Sequence, residues 1–304
     1  MSLRPAPEPR PAHRAGTVAI VGRPNVGKST LLNRLVGSKV SITSSKPQTT
    51  RRRVTGIVTR DDAQIVFVDT PGYQTEHRTG LNLAMNRSVA TSLQAVDAVI
   101  WVVEALKYDR RDDRVANLLP ARAPVILAIN KTDAVRDKGR LLPFIDELSR
   151  RRGFAAIIPV SAAKGSQVAA LLDAIISLLP VGPPFHDADE ITTVSERVLA
   201  AELLREQLFR LLGDELPYST TVEIERFRQD GRVRRIDASI LVDKEGQKPI
   251  VIGKQGSKLK AIATRARQEM ERLFDGAVFL EVWVKVRRGW ADSDAALKRL
   301  GYGE

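Results

Sequence analysis

The residues most able to do chemistry are Gly22-Arg23-Pro24-Asn25-Val26-Gly27-Lys28-Ser29, followed by Thr30. They fit the pattern G-x-x-x-x-G-K-S/T of a phosphate-binding loop. Backbone N–H groups of such a loop, with the N-terminus of the helix behind it, face phosphate oxygens. Lys28 then neutralises the β/γ charge, and Ser29 ligates Mg²⁺. By average residue frequencies the bare pattern arises by chance in roughly one chain of this length in a hundred. Here it also has the right setting, after an apolar strand (17–21) and at the start of a helix (28–36).

The loop does not choose between adenine and guanine. Asn130-Lys131-Thr132-Asp133 does, at the C-terminal end of the apolar run PVILAIN, where open α/β sheets bind ligands. The Asp133 carboxylate accepts two hydrogen bonds from guanine, at N1–H and the 2-amino group. Adenine has an acceptor at N1 and no 2-amino group, so it leaves a carboxylate unpaired. Asp69-Thr70-Pro71-Gly72 ends another apolar strand. Asp69 holds Mg²⁺ through a water, and the Gly72 N–H reads the γ-phosphate. Ser161-Ala162-Ala163 follows the last strand and contacts guanine through its backbone. Thr49 and Thr50 lie in the loop after the first helix, and one of them closes on Mg²⁺ when the γ-phosphate is present. No catalytic base is assigned. Many GTPases place Gln directly after this glycine to orient water. Here Tyr73 stands there, Gln74 comes one place late, and His77 is a lone histidine on the same loop.

A second cluster lies near the C-terminus. Ile252 precedes Gly253-Lys254-Gln255-Gly256, a G-x-x-G loop. Chance supplies about one such tetrapeptide in a chain this long, so the argument rests on context. An apolar lead-in (249–252) precedes the loop and an amphipathic helix (257–274) follows it. Such a loop clamps about four nucleotides of backbone, because glycine lets phosphates approach closely. From Lys248 to Arg267 there are six basic residues, among them Lys254, Lys258 and Lys260, and no acid. The triplet Arg51-Arg52-Arg53 either touches RNA or solvates a strand edge.

The elements that must hold these residues fall into two parts. Residues 17–180 alternate strand and helix patterns, which predicts an α/β domain with a mostly parallel sheet covered on both faces. The stretch PVGPPFHDAD breaks the alternation, and residues 181–191 read as a linker. Residues 192–304 run helix, strand, strand, helix, helix, strand, the order of an α+β type II KH domain, with a hairpin turn at Asp230-Gly231. Residues 1–16 are rich in Pro and Arg, read as a disordered tail, and lack the apolar core of a secretory signal.

Composition adds bounds. Without cysteine there is no disulfide framework and no cysteine metal site. No run of about 20 apolar residues is present to span a membrane. The net charge of +12 favours a polyanionic partner. From Ile191 onward 21 basic residues face 18 acidic ones, a net of only +3, so bulk charge does not locate the binding surface.

The segments GRPNVGKST, SITSSKPQTTRRR, DTPG, NKTD, GQKPIVIGKQGSKLKAI and LEVWVKVRRGWADSDAALKRLGY together resemble the Era family of bacterial GTPases, over about Gly16 to Gly303. The resemblance implies a P-loop GTPase domain followed by a type II KH domain, with GTP or GDP as ligand, Mg²⁺ as cofactor and slow intrinsic turnover. Related GTPases place the Mg²⁺-binding threonine before an arginine, which favours Thr50, and hold K⁺ at the place of Asn25. The implied partners are single-stranded 16S rRNA near its 3′ end and the 30S subunit during assembly. The implied state is a cytoplasmic monomer, peripherally attached to the inner membrane face. Two departures stand out: Tyr73 replaces an aliphatic residue, and the basic tail is longer than expected. A nearly static RNA chaperone is the competing class. A translocation or tRNA-modification GTPase is a third, disfavoured by the G-x-x-G half.

Overall fold

The computed structural model of the chain describes residues 12–44, 46–73, 79–213 and 216–302. Gln74, His77 and the first eleven residues lie outside them.

The first part forms a sheet from β1 (Arg14–Val21), β2 (Val54–Thr59), β3 (Ala63–Asp69), β4 (Ala98–Glu104), β5 (Val125–Asn130) and β6 (Ala156–Pro159). The strand order is β2-β3-β1-β4-β5-β6. Only β2 and β3 run antiparallel, because the three residues joining them leave no room for a crossover. The other neighbours are parallel. Such strands are covered on both faces, which explains their near-continuous apolar runs. The helices are α1 (Lys28–Val36), α2 (Gly80–Ser92), α3 (Arg110–Ala116), α4 (Leu141–Ser149) and α5 (Val168–Leu178). Leu31, Leu35, Leu171 and Ile175 of α1 and α5 meet Ile20, Phe67 and Ile100 on one face. Val89, Val115 and Leu148 of α2, α3 and α4 meet Val21, Trp101 and Leu127 on the other.

β1 begins at Arg14 rather than Thr17, because its first residues are bonded on both sides. Arg14 N donates to Asp62 O at 3.0 Å and Ala15 N to Pro180 O at 3.1 Å. The linker is also tied down. The buried Gln64 side chain accepts from the N–H groups of Phe185 and His186 and donates to His186 O.

The second part contains α6 (Glu196–Leu211), β7 (Thr220–Asp230), β8 (Val233–Val242), α7 (Gln247–Ile252), α8 (Ser257–Leu273), β9 (Ala277–Val286) and α9 (Asp294–Arg299). Its sheet has the order β7-β8-β9. β8 and β9 are parallel because α7 and α8 supply the crossover between them. Leu203, Leu204, Ile262 and Met270 of α6 and α8 pack on Ile236, Ala238 and Ile240.

The two parts meet along the segment between α1 and β2. Ile42 belongs to the apolar core of the second part. Glu206 of α6, fully buried, accepts from Lys39 Nζ at 2.6 Å and from Thr43 N at 3.1 Å. Arg205 pairs with Glu202 and donates to the carbonyls of Gln48 and Thr49. A further apolar cluster joins Leu81 and Met85 of α2 to Leu241, Trp290, Leu297, Leu300 and Tyr302.

Two residues of the arginine triplet are tied to the second part of the molecule rather than left to solvate a strand edge. Arg51 is buried, donating to Thr220 O at 2.8 Å, Pro217 O at 3.0 Å and Tyr218 O at 3.2 Å. Arg52 donates to Leu300 O and lies over the Tyr302 ring. Only Arg53 is exposed. A rigid guanidinium fork can satisfy several carbonyls of a folded domain at once, which an exposed strand edge does not ask of it.

Removing the Arg51 fork takes a donor from three carbonyls, of which Pro217 O keeps the bond from Thr220 Oγ1. Arg51→Ala is expected to lower unfolding free energy by about 2–4 kcal/mol, and Arg51→Lys by less. Denaturant titration of both variants checks this; an Arg51→Ala midpoint equal to wild type would remove Arg51 from the interdomain contact.

Candidate nucleotide and nucleic-acid sites

The candidate nucleotide site lies at the C-terminal ends of β1, β3, β5 and β6. The chain leaves β1 at Gly22 and enters α1 through Gly27, whose φ is +100°. A Cβ at Gly27 would stand 2.3 Å from Asn130 Nδ2. Asn130 sits there because its amide ties three loops together. Nδ2 donates to Val26 O at 2.8 Å, and Oδ1 accepts from Ala162 N at 3.0 Å. Val26 itself turns into the core. Lys28 Nζ folds over the loop, donating to the carbonyls of Gly22 and Arg23 at 3.0 Å each. Burial lowers the Lys28 pKa from its ordinary value to about 8, against the pull of Asp69. A buried ammonium held only by carbonyls is poised for an anion.

Three oxygens meet beside it. Ser29 Oγ lies 2.7 Å from Thr50 Oγ1 and donates to Asp69 Oδ2 at 2.7 Å. Thr50 Oγ1 is 3.5 Å from the same carboxylate oxygen. Asp69 Oδ1 is buried with no partner. Burial raises the Asp69 pKa, opposed by Lys28. Hard oxygen donors converging on a buried carboxylate suit Mg²⁺. The sequence leaves Thr49 and Thr50 open, and the structure separates them, since Thr49 Oγ1 donates to Lys46 O at 2.6 Å. Thr70 Oγ1 donates to Ile20 O, fixing the end of β3 against β1. Pro71 is buried beside it, and a Cβ on Gly72 would come 2.9 Å from Pro24 Cα, so the DTPG turn lies on the P-loop. Pro24, Asn25, Gly27, Lys28, Ser29 and Thr30 line a cavity of about 250 Å³ that reaches Thr50, Gly72 and Lys131.

At the base-selecting end, Asp133 Oδ1 accepts from Ser161 Oγ at 2.5 Å. Ser161 thus orients the carboxylate, a role its sequence setting does not reveal. Thr132 Oγ1 donates to Val160 O, bracing the turn against β6. Ala163 O accepts from Arg34. Lys131, at φ +64°, donates to Glu104 Oε2 at 2.7 Å.

Arg23 takes part in the P-loop through its backbone, its side chain being held elsewhere. Its guanidinium turns away from the loop to Asp112 of α3 at 3.1 Å and to Lys107 O at 3.3 Å. It contributes backbone only, because the buried Asp112 carboxylate is the nearer anion. Tyr73 packs against the apolar layer of α2, α3 and α4. Asn33 of α1 was not legible as functional. Its Oδ1 accepts from Val40 N at 3.0 Å and Ser41 N at 2.9 Å, and Ser41 Oγ then donates to Asp69 at 3.0 Å. No local pattern marks an Asn that bonds residues seven and eight places ahead.

The G-x-x-G loop joins α7 to α8. Gly253, Gln255 and Gly256 have φ of +73°, +51° and +78°. A Cβ on Gly253 would come 2.6 Å from Lys258 Cβ, whereas one on Gly256 would meet nothing within 4 Å. The two glycines therefore differ: Gly253 is needed for space and conformation, Gly256 for conformation and access. Ile252 packs on the domain core. Lys254 and Lys260 are exposed, Lys258 is half-buried, and no carboxylate pairs with them among the described residues.

Comparison with known proteins places this geometry. A family profile described as "50S ribosome-binding GTPase" matches residues 17–131, and one described as "KH domain" matches residues 215–291. GTPase Era of Nitrosomonas eutropha is 55% identical over 290 residues, covering 95% of this chain and 98% of that one. GTPase Era of Chromobacterium violaceum is 56% identical over 286 residues, covering 94% and 97%. The chain belongs to the GTPase Era family. It is a P-loop GTPase with a C-terminal KH domain. Two solved structures match it over 96% of this chain and all of theirs, at 39% identity. One is an Aquifex aeolicus Era variant bound to GDP and aluminium fluoride, with a TM-score of 0.92. The other is Era in complex with MgGDPNP and nucleotides 1506–1542 of 16S ribosomal RNA, with a TM-score of 0.93.

The base choice follows from the Asp133 carboxylate. Asp133→Asn is expected to lose GTP affinity by at least about a hundredfold and to gain xanthosine triphosphate, whose 2-oxo group accepts from the new amide. Competition binding with the three nucleotides tests it, and wild-type protein holding ATP as tightly as GTP would refute the assignment.

Proposed function

We propose that this chain binds GTP with Mg²⁺, hydrolyses it slowly, and uses the nucleotide state to control docking of its KH domain on the 3′ end of 16S rRNA during 30S assembly. The observation that carries this reading is the direct grip of the KH-side helix α6 on the segment that bears Thr50. The Era structure with MgGDPNP and a 16S rRNA fragment supports it, since that protein holds both ligands at once.

Gly22 to Thr30, Asp69 to Gly72, Asn130 to Asp133 and Ser161 to Ala163 make up the nucleotide site. Ser29 and Thr50 would hold Mg²⁺ directly and Asp69 through water, as their converging oxygens support. Held there, Mg²⁺ would supply positive charge against the terminal phosphates of the nucleotide. Lys28 binds the same phosphates. Asn25, exposed and left-handed at φ +65°, is the proposed K⁺ ligand. Ile252, Gly253, Lys254, Gln255, Gly256, Lys258 and Lys260 are the proposed RNA contacts. No base is assigned, since Tyr73 is packed into apolar surroundings. The reading includes a cytoplasmic monomer that touches the inner membrane face peripherally. Among the described residues no helix is long and apolar enough to cross a membrane.

Gly256→Asp sets a negative charge at the open face of the loop while meeting no neighbour. It is expected to abolish binding of a 16S rRNA 3′-end oligonucleotide and to leave GTP affinity unchanged. Lys254→Ala is expected to weaken RNA binding and to reduce the salt slope by roughly 0.7. Titrations at several salt concentrations check both, and a folded Gly256→Asp protein with wild-type RNA affinity would overturn the KH assignment.

Asn25 would hold a K⁺ ion, which would supply the positive charge that an arginine finger gives elsewhere. GTP hydrolysis is expected to run faster in K⁺ than in Na⁺ at equal ionic strength, with the difference lost in Asn25→Ala. Equal wild-type rates in the two salts would argue against the ion.

A further inference from the structure

A second cavity, of about 600 Å³, lies between the two parts of the molecule. Its walls are the start of β2, one side of α2, the N-terminal end of α6 and the C-terminal Tyr302. Arg51, Arg52 and Arg53 line it, and no carboxylate does among the described residues. Among the described residues none of the three guanidinium groups has an ion-paired carboxylate: Arg51 and Arg52 donate to backbone carbonyls, while Arg53 is exposed and makes no hydrogen bond.

Donors around the cavity go unused. Arg51 Nε, Arg52 Nε and Ser92 Oγ are buried without a partner. Ser195 caps α6 and also lines the cavity, yet its side chain makes no capping bond. The 16 residues of α6 direct the positive end of their dipole to this wall. Of the acids on the same helix, Glu196 pairs with Arg234 and Glu202 with Arg205, the buried Glu202 charge also acting on Arg52 and Arg51. Tyr302, over whose ring Arg52 lies, has its pKa lowered although burial raises it, because the charges of Arg52, Arg205 and Arg51 outweigh both burial and the opposing charge of Glu202. Buried N–H groups without acceptors are rare in folded proteins and call for a ligand or ordered solvent.

We propose that this interdomain cavity is a second anion site, which takes a phosphate group between Arg52, Arg53 and the α6 N-terminus. Its size suits a phosphorylated small molecule. A phosphate of an RNA backbone offers the same chemistry. Either ligand bridges β2, α2 and α6, and so ties the two domains together.

The test uses the full chain saturated with Mg²⁺ and GDPNP, so that the P-loop is filled. Inorganic phosphate is titrated in by calorimetry at constant ionic strength. Saturable binding is expected, weakened at least about tenfold by Arg53→Glu and less by Arg53→Lys, with GDPNP affinity unchanged. Ser195→Ala, on a different wall, is expected to weaken it too. No saturable phosphate binding by wild type, or Arg53→Glu binding as wild type does, overturns the proposal. A second arm titrates the 16S rRNA 3′-end oligonucleotide and rests on the RNA reading above. If Arg53→Glu weakens RNA binding and phosphate competes with the RNA, the site serves the RNA backbone. If RNA affinity is unchanged while phosphate binding is lost, the ligand is a free phosphorylated molecule. Failure of wild type to bind RNA at all counts against the RNA reading alone and leaves the phosphate arm intact.

Discussion

The structure turns on one peptide bond, between Thr50 and Arg51. Adjacent Cα atoms across a trans peptide are fixed about 3.8 Å apart. Thr50 reaches the oxygens of Ser29 and Asp69, while Arg51 is buried among the carbonyls of Pro217, Tyr218 and Thr220. One residue therefore belongs to the nucleotide site and the next to the RNA-binding half. Neither moves without the other. Upstream, Thr43 N and Lys39 hold Glu206, and Ile42 sits in the second core, so the whole segment from 39 to 51 is shared.

Such sharing needs buried charge. Arg51, Arg205, Glu202 and Glu206 all lie at the seam with almost no exposure. Ion pairs of this kind add little net stability, because desolvation offsets attraction, but a removed partner is strongly felt. They fit a boundary that must take one defined arrangement. Burial lowers the Arg51 pKa to about 10, and Arg205 adds to the effect by repulsion. The Glu202 pKa is lowered as well, because Arg205 overcomes the upward push of burial. Lys28 follows the logic of Arg51 at the other end, as a buried cation held by carbonyls. Phosphate oxygens would complete its surroundings.

α2 provides a second link. It follows the DTPG turn, and its first N–H, at Gly80, donates to Asp292 Oδ1 at 2.8 Å. Its Leu81 and Met85 pack on Trp290, Leu297 and Tyr302. The loops that would feel the γ-phosphate thus each lead into an element packed against the KH half. The G-x-x-G loop is held separately, by α7 and α8, so its shape depends on local backbone rather than on the seam.

Much was legible in the residues themselves. The P-loop, DTPG and NKTD need fixed residue types at fixed spacing, because phosphate, Mg²⁺ and guanine impose their own geometry, and these motifs name the nucleotide site without any tertiary information. Apolar runs bounded by turn residues mark the strands of the first sheet within a few residues, since burial on both faces leaves a continuous signal, and the alternation around Asp230-Gly231 marks those of the second. What the chain order could not show is which distant groups share a space. Arg51 reads as a surface cation until Pro217 and Thr220 are beside it. Thr49 and Thr50 are equivalent in composition until Lys46 O claims one hydroxyl. Nothing in the P-loop motif shows that the Arg23 guanidinium is taken by Asp112, 89 residues away. Gly253 and Gly256 look alike until Lys258 is found against only one of them. Motif chemistry is local and survives in the sequence; the pairing of charges across an interface depends on long-range packing and is decided only by the fold.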